Sequence, residues 1–155
     1  MKWKLLKYFY PNEAWGEAEK MDFQLLVLMD QFRESLPSGF KVKIHRGYSN
    51  DNPKSLHYIG KATDFHVVGC GFIEAEYHLK NFLFRRDLMM EVEYGIYPDW
   101  NDPGFHVGLQ FKGGSWCGRY VKVQKGNADI TEQRYIGYKE GLAYAKKKFQ
   151  AGNGI

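Results

Sequence analysis

The sequence predicts an α+β domain with a small, mainly antiparallel sheet packed with helices. Helical and strand-like segments are interspersed along the chain instead of alternating in strict βαβ order. Several strand-like segments follow one another with no helix between them, as at Glu91 to Tyr97 and Phe105 to Phe111. The 155 residues, 44% hydrophobic and 26% charged, suit one folded domain and not a disordered chain. Residues 1–150 are expected to form that domain and 151–155 a C-terminal tail.

The elements follow in order. Met21 to Leu36 predicts a helix, because Phe23, Leu25, Leu26, Met29, Phe32 and Leu36 recur at helical spacing. Asp22 supplies an N-cap and Pro37-Ser38-Gly39 a stop, with the Phe23/Leu26/Met29 side expected against the sheet. Lys41 to Arg46 alternates apolar and polar residues as a strand does, ending at Gly47. Ser49 to Lys54 is a turn-rich loop, and Ala62 to Val68 a second strand closed by Gly69 and Gly71. Ile73 to Phe84 reads as a helix. Glu91 to Tyr97 and Phe105 to Phe111 read as strands around a Pro/Asp/Gly loop, with Arg119 to Gln124 a further candidate. Tyr138 to Phe149 predicts a last helix, whose basic Lys146-Lys147-Lys148 end suits its dipole.

Composition narrows the function only partly. A net charge of +4 suits an acidic partner without selecting one. No Lys/Arg stripe or nucleic-acid motif accompanies that charge, so no nucleic acid is expected as partner. Aromatics reach 17%, enough to pack a core and also line a site for sugars or peptides. No run of 18 apolar residues occurs, so no membrane span is expected. The start, MKWKLLKYFYPNEAW, lacks the apolar core and cleavage site of a signal peptide. Cytoplasmic synthesis with both Cys70 and Cys117 free is the expectation.

The chemistry gathers around the histidines. His57 sits in Ser55-Leu56-His57-Tyr58-Ile59-Gly60-Lys61-Ala62-Thr63-Asp64, where a loop carries an imidazole into a glycine turn and the next strand presents a carboxylate. A neutral imidazole and a carboxylate are suitable zinc ligands, and a catalytic zinc needs a third ligand plus an open position. His106, in Pro103-Gly104-Phe105-His106-Val107-Gly108, is a candidate, because it shares a strand face with Gly108 and Gln110. Spacing alone could nominate other pairs. His66 shares a strand face with Asp64, although a surface role is the commoner one for such a residue, and His45 reads as an ordinary strand histidine. Trp100 and Trp116 fit a groove or the core equally well.

The pattern S-x-H-x-x-G-x-A-x-D, with Tyr97-Pro98 and Phe105-His106-Val107 downstream, resembles the zinc peptidases of the D-alanyl-D-alanine carboxypeptidase type. The resemblance includes Tyr8 to Glu13, Leu26 to Arg33 and Gly47-Tyr48-Ser49, in the expected order. It implies a Hedgehog/DD-peptidase fold, one Zn2+ held by His57, Asp64 and His106, and hydrolysis of peptide bonds in peptidoglycan stem peptides. The family includes D-Ala-type carboxypeptidases and endolysin-like endopeptidases, so the implied setting is a phage or prophage lysis enzyme, or a bacterial protein acting at the cell wall after release. The chain is expected to act as a monomer.

Two positions depart from the family pattern. Ser49 stands where the family has an arginine after its Gly-Tyr, and Gly108 where it has an aspartate. Arg46 is assigned to stabilise the oxyanion or the substrate carboxylate in place of the missing arginine. Some relatives carry an acid three positions before the last histidine, here Pro103. Asp102 is therefore assigned as the proton carrier, with Asp99, Glu91 and Glu93 as the other nearby acids. The same departures motivate an alternative: a zinc-binding structural or wall-binding module that has lost catalysis.

Overall fold

The computed structural model describes residues 1–87, 91–110 and 113–151. Six strands form one sheet: β1 (Lys41–Arg46), β2 (Ala62–Val68), β3 (Val92–Tyr97), β4 (Gly104–Leu109), β5 (Gly114–Lys125) and β6 (Ala128–Gly137). Their spatial order is β1-β2-β4-β3-β5-β6. Every neighbouring pair is antiparallel except β3 and β5, which run parallel. The α+β class and mainly antiparallel sheet expected from the sequence are therefore present. The helices are α1 (Phe23–Ser35), α2 (Phe72–Arg85) and α3 (Tyr138–Ala151).

Strand periodicity explains how the sheet divides its faces. Val42 and Ile44 of β1, Phe65 and Val67 of β2, Tyr94 and Ile96 of β3, and Phe105 and Val107 of β4 enter the core. There they meet Leu25, Leu26, Met29 and Phe32 of α1 and Leu79, Phe82 and Leu83 of α2. Phe32 links the layers, with its ring 5.9 Å from Phe65 and 5.4 Å from Phe82. Phe72 of α2 stacks on Phe105 at 5.0 Å. The N-terminal segment closes one end by packing Trp15 against Trp3 and Phe9. The alternate residues of β2, β3 and β4 are thereby turned to the other face, where the chemistry lies.

The Asp22 carboxylate accepts from the backbone N–H of Gln24 and Leu25, which caps α1 as the sequence predicts. Of the expected Phe23/Leu26/Met29 face, Leu26 and Met29 are buried and Phe23 is not. Phe23 is 39% exposed, while Leu25 and Leu28 are buried, so the helix faces the sheet with a stripe shifted away from its first residue. β6 was not expected from the sequence. Its polar residues leave little apolar alternation, and it is held by the ladder to β5 and by pairs such as Lys125–Glu132 at 2.6 Å. β4 ends at Leu109; the expected strand end at Phe111, and residues 152–155 of the expected tail, lie outside the described residues.

Candidate metal centre

His57 lies in a short 3-10 helix, Leu56–Ile59, whose N-cap Ser55 accepts from the His57 N–H. Gly60 closes this turn in the left-handed region at φ 70°, and an added Cβ would fall 2.0 Å from the Lys20 carbonyl. The turn therefore needs glycine both for its backbone angle and for space. The His57 ring is oriented by its Nδ1, 2.7 Å from the Gly47 carbonyl. Because a carbonyl can only accept, Nδ1 carries the proton and the Nε2 lone pair is free. Nε2 points to Asp64, 3.3 Å from Oδ1.

Asp64 and His106 are brought together by sheet register. They are direct partners across β2 and β4, so both project from the same face. His106 Nδ1 is 2.8 Å from Asp64 Oδ1, and the His57 and His106 rings lie 5.1 Å apart. Each of the three side chains offers a ligand atom within 4.8 Å of the others, which is a group that could hold a metal ion. His57 and His106 are buried. Two imidazoles and a carboxylate also match the donor set of three-ligand catalytic sites, so the residues fit a borderline divalent cation.

Behind His106 stands Glu93 of β3, whose Oε1 is 3.0 Å from His106 Nε2. With Nε2–H donated to Glu93, Nδ1 is left to face the ligand set, the arrangement by which outer carboxylates orient metal-bound histidines. Glu93 faces Gly108 across the ladder. An added Cβ at 108 would fall 3.1 Å from Glu93 Cγ and 2.7 Å from Leu56 Cδ1. The glycine found where the resembled family has an aspartate is thus the space into which Glu93 packs.

Charge couples Asp64 to the two histidines. Burial opposes ionisation of Asp64, yet the neighbouring imidazoles, His106 above all, hold its carboxyl well below the usual range. Burial likewise opposes a charge on His106, but the Asp64 and Glu93 carboxylates prevail and raise its pKa to about 9.

The cluster lies at the floor of a cavity of about 540 Å³, walled by Tyr97, Trp100, Trp116, Gln133 and Tyr135. Trp100 stacks on Tyr97 at 4.1 Å. Trp116 Nε1 donates to the Tyr97 hydroxyl at 3.0 Å, which leaves the Tyr97 proton free to be donated. Burial pushes the Tyr97 phenol well above its usual pKa, so it stays protonated. Both tryptophans therefore line the cavity. Gln133 and Tyr135 were missed in the sequence because β6 was not recognised.

Arg46 also lines the cavity, with Nη2 donating to Ser49 Oγ at 3.0 Å and to Asp51 Oδ2 at 3.4 Å. The other acids named from the sequence lie apart from the cluster. Asp102 groups with His45 and His66. Asp99 binds Tyr144 Oη at 2.6 Å, Lys148 Nζ at 2.7 Å and the Tyr120 N–H at 2.9 Å, which fastens α3 to the sheet. Glu91 lines a separate surface groove with Phe23 and Leu109. Of the four, Glu93 alone meets the ligand set. Among the described residues, no helix is long and apolar enough to cross a membrane. No family model and no curated protein matches the chain.

Proposed function

We propose that the protein is a zinc-dependent peptidase acting on peptidoglycan stem peptides, as a D-Ala-type carboxypeptidase or an endolysin-like endopeptidase with a Hedgehog/DD-peptidase fold. The observation that carries this reading is the convergence of His57, Asp64 and His106 at the floor of an aromatic-walled cavity. Zinc held there would polarise a scissile carbonyl and lower the pKa of water towards ~7. The protein's own groups supply the rest. The Gly47 carbonyl and Glu93 fix the two imidazoles with their lone pairs turned inward. Glu93 Oε1 holds His106, and because Glu93 also lines the cavity it is the acid we assign to take a proton from water and return it to the leaving amine. Tyr97, protonated and partnered by Trp116, is suited to donate to a developing oxyanion. Arg46 supplies a cation for a substrate carboxylate at the cavity rim.

The two departures from the family pattern find local compensation. Arg46 reaches the Ser49 hydroxyl, which brings a guanidinium to the position that lacks the arginine. Glu93 fills the space beside Gly108 and brings a carboxylate where the aspartate is missing. The test is release of peptide fragments from purified peptidoglycan, with and without chelator. Activity lost on chelation, restored by Zn2+ and absent in His106→Ala is expected. Zinc-loaded protein that cleaves no wall peptide would overturn the reading in favour of a binding module.

A further inference from the structure

We propose that His45, His66 and Asp102 form a second divalent-metal site, exposed and exchangeable. The pairing of β1 with β2 runs Lys43 to His66 and Ile44 to Phe65, then slips so that Arg46, not His45, meets Asp64. His45 is thus the extra residue of a β-bulge, a device that re-aims a side chain. It is re-aimed onto His66, with Nε2 2.5 Å from His66 Nδ1 and the rings 4.7 Å apart. Asp102 arrives from the β3–β4 connection, and the three ligand atoms lie within 4.8 Å of one another. The Trp100 ring packs beside them, its centroid 6.4 Å from that of His45 in an edge-to-face arrangement.

The donor set again combines two imidazoles and a carboxylate, which suits Zn2+, Cu2+, Ni2+ or Co2+ and not Ca2+ or Mg2+. Two Zn–N bonds of ~2.0–2.1 Å at a tetrahedral angle place the nitrogens ~3.3 Å apart, so the exposed His45 ring needs only a small opening. The environments of the two sites set their order of affinity. His57 and His106 each have an outer partner fixing the ring, Gly47 and Glu93. Among the described residues His45 and His66 hydrogen-bond only each other through their rings. His45 and Asp102 are also exposed, whereas the first set is largely buried. Less fixed, more hydrated ligands bind more weakly and exchange faster. The sequence leads one to expect one metal per chain; the structure assigns two. This inference stands apart from the peptidase reading, because it uses none of the same ligands.

The test is titration of the full metal-stripped chain with Zn2+ alone at neutral pH, followed by calorimetry and metal analysis. The wild type should bind two ions, the second at least ~10-fold more weakly. His45→Ala and, separately, Asp102→Asn should each weaken the second ion at least ~10-fold and leave the first unchanged. His106→Ala should do the reverse. Both substituted side chains are exposed, and circular dichroism checks that the variants remain folded. A single equivalent in the wild type that both substitutions leave unchanged overturns the proposal, as does a second equivalent that survives both substitutions. A second class lost with His45→Ala in a protein that never shows the tight class would refute the buried centre and leave this site standing.

Discussion

His106 sits between two carboxylates, and that position makes metal binding compete with a proton. In the metal-free protein its pKa is raised to about 9 from 6.5, because Asp64 and Glu93 outweigh the cost of burying the charge. At pH 7 the ring is therefore almost wholly protonated, and a cation must displace that proton to reach Nδ1. The apparent affinity is reduced about 100-fold at pH 7 and about 10-fold at pH 8, since each unit of pKa is worth ~1.36 kcal/mol. Affinity should thus rise nearly tenfold from pH 7 to 8 and flatten as pH approaches 9. Competition with a chelator, corrected for the chelator's own protonation, measures this slope. Calorimetry in two buffers of different ionisation enthalpy should count close to one proton released per ion at pH 7. Affinity that does not change between pH 7 and 8, or binding without proton release, would refute the placement of His106 as a ligand held protonated in the metal-free form.

The same proton governs metal-free stability, with a definite sign. A raised pKa contributes stability that is complete below 6.5 and lost as pH rises through about 9, amounting to ~3 kcal/mol at most. The depressed pKa of Asp64 works at the other end, with stability present above 3.8 and lost as pH falls further. These two shifts report one interaction and are counted once. The melting temperature of metal-free protein should therefore be highest between about 4 and 6.5 and decline towards 9. Metal-loaded protein should not show that alkaline decline, because the cation replaces the proton.

Glu93→Gln should leave the fold intact and weaken metal binding ~10–100-fold, as loss of an outer partner does; at saturating zinc it should still lower hydrolysis ~10²–10⁴-fold if Glu93 carries the proton. Asp102→Asn should leave hydrolysis unchanged, measured by the same fragment-release assay. Asp99→Asn should leave turnover per folded molecule unchanged but cost ~1–3 kcal/mol in urea unfolding, because Asp99 anchors Tyr144 and Lys148 of α3. Gly108→Asp should weaken metal binding ~10–100-fold by dislodging Glu93 from His106, read out by chelator competition.

What could be read in the chain depended on how local the determinant was. β1 and β2 were bounded correctly because Val42, Ile44, Phe65 and Val67 alternate with polar neighbours, and pairing only had to satisfy a pattern already present. β6 escaped because most of its side chains face solvent and its structure comes from the ladder to β5, which no window of sequence contains. The parallel join of β3 to β5 escaped for the same reason. In the site, His57 and Asp64 belong to one turn and the strand after it, so a short motif carries both. Glu93 becomes a partner of His106 only through the register of β3 on β4, which sets Gly95 beside His106 and Glu93 beside Gly108. Asp102 shows the same dependence on register from the other side. It is near His106 along the chain, yet β4 begins after it, and its carboxylate joins His45 and His66.

Ser49 and Gly108 look like losses when the chain is compared with its resembled family position by position. In space each is the complement of a neighbour. The serine hydroxyl accepts from a guanidinium that starts three residues earlier, across Gly47. The missing side chain at 108 is the condition for Glu93 to lie flat against the strand with Oε1 on His106. A site of this kind is defined by which charges reach the cavity, not by which backbone carries them. Substituting either position towards the family residue should therefore harm the site instead of repairing it. An arginine at 49 would set two guanidinium groups against one another near Asp51, whose carboxylate now accepts from Arg46. An aspartate at 108 would add a third carboxylate beside His106 while expelling the one that orients it. If Gly108→Asp instead strengthened metal binding, Glu93 could not be the group that holds His106, and the compensation argued for this site would fail.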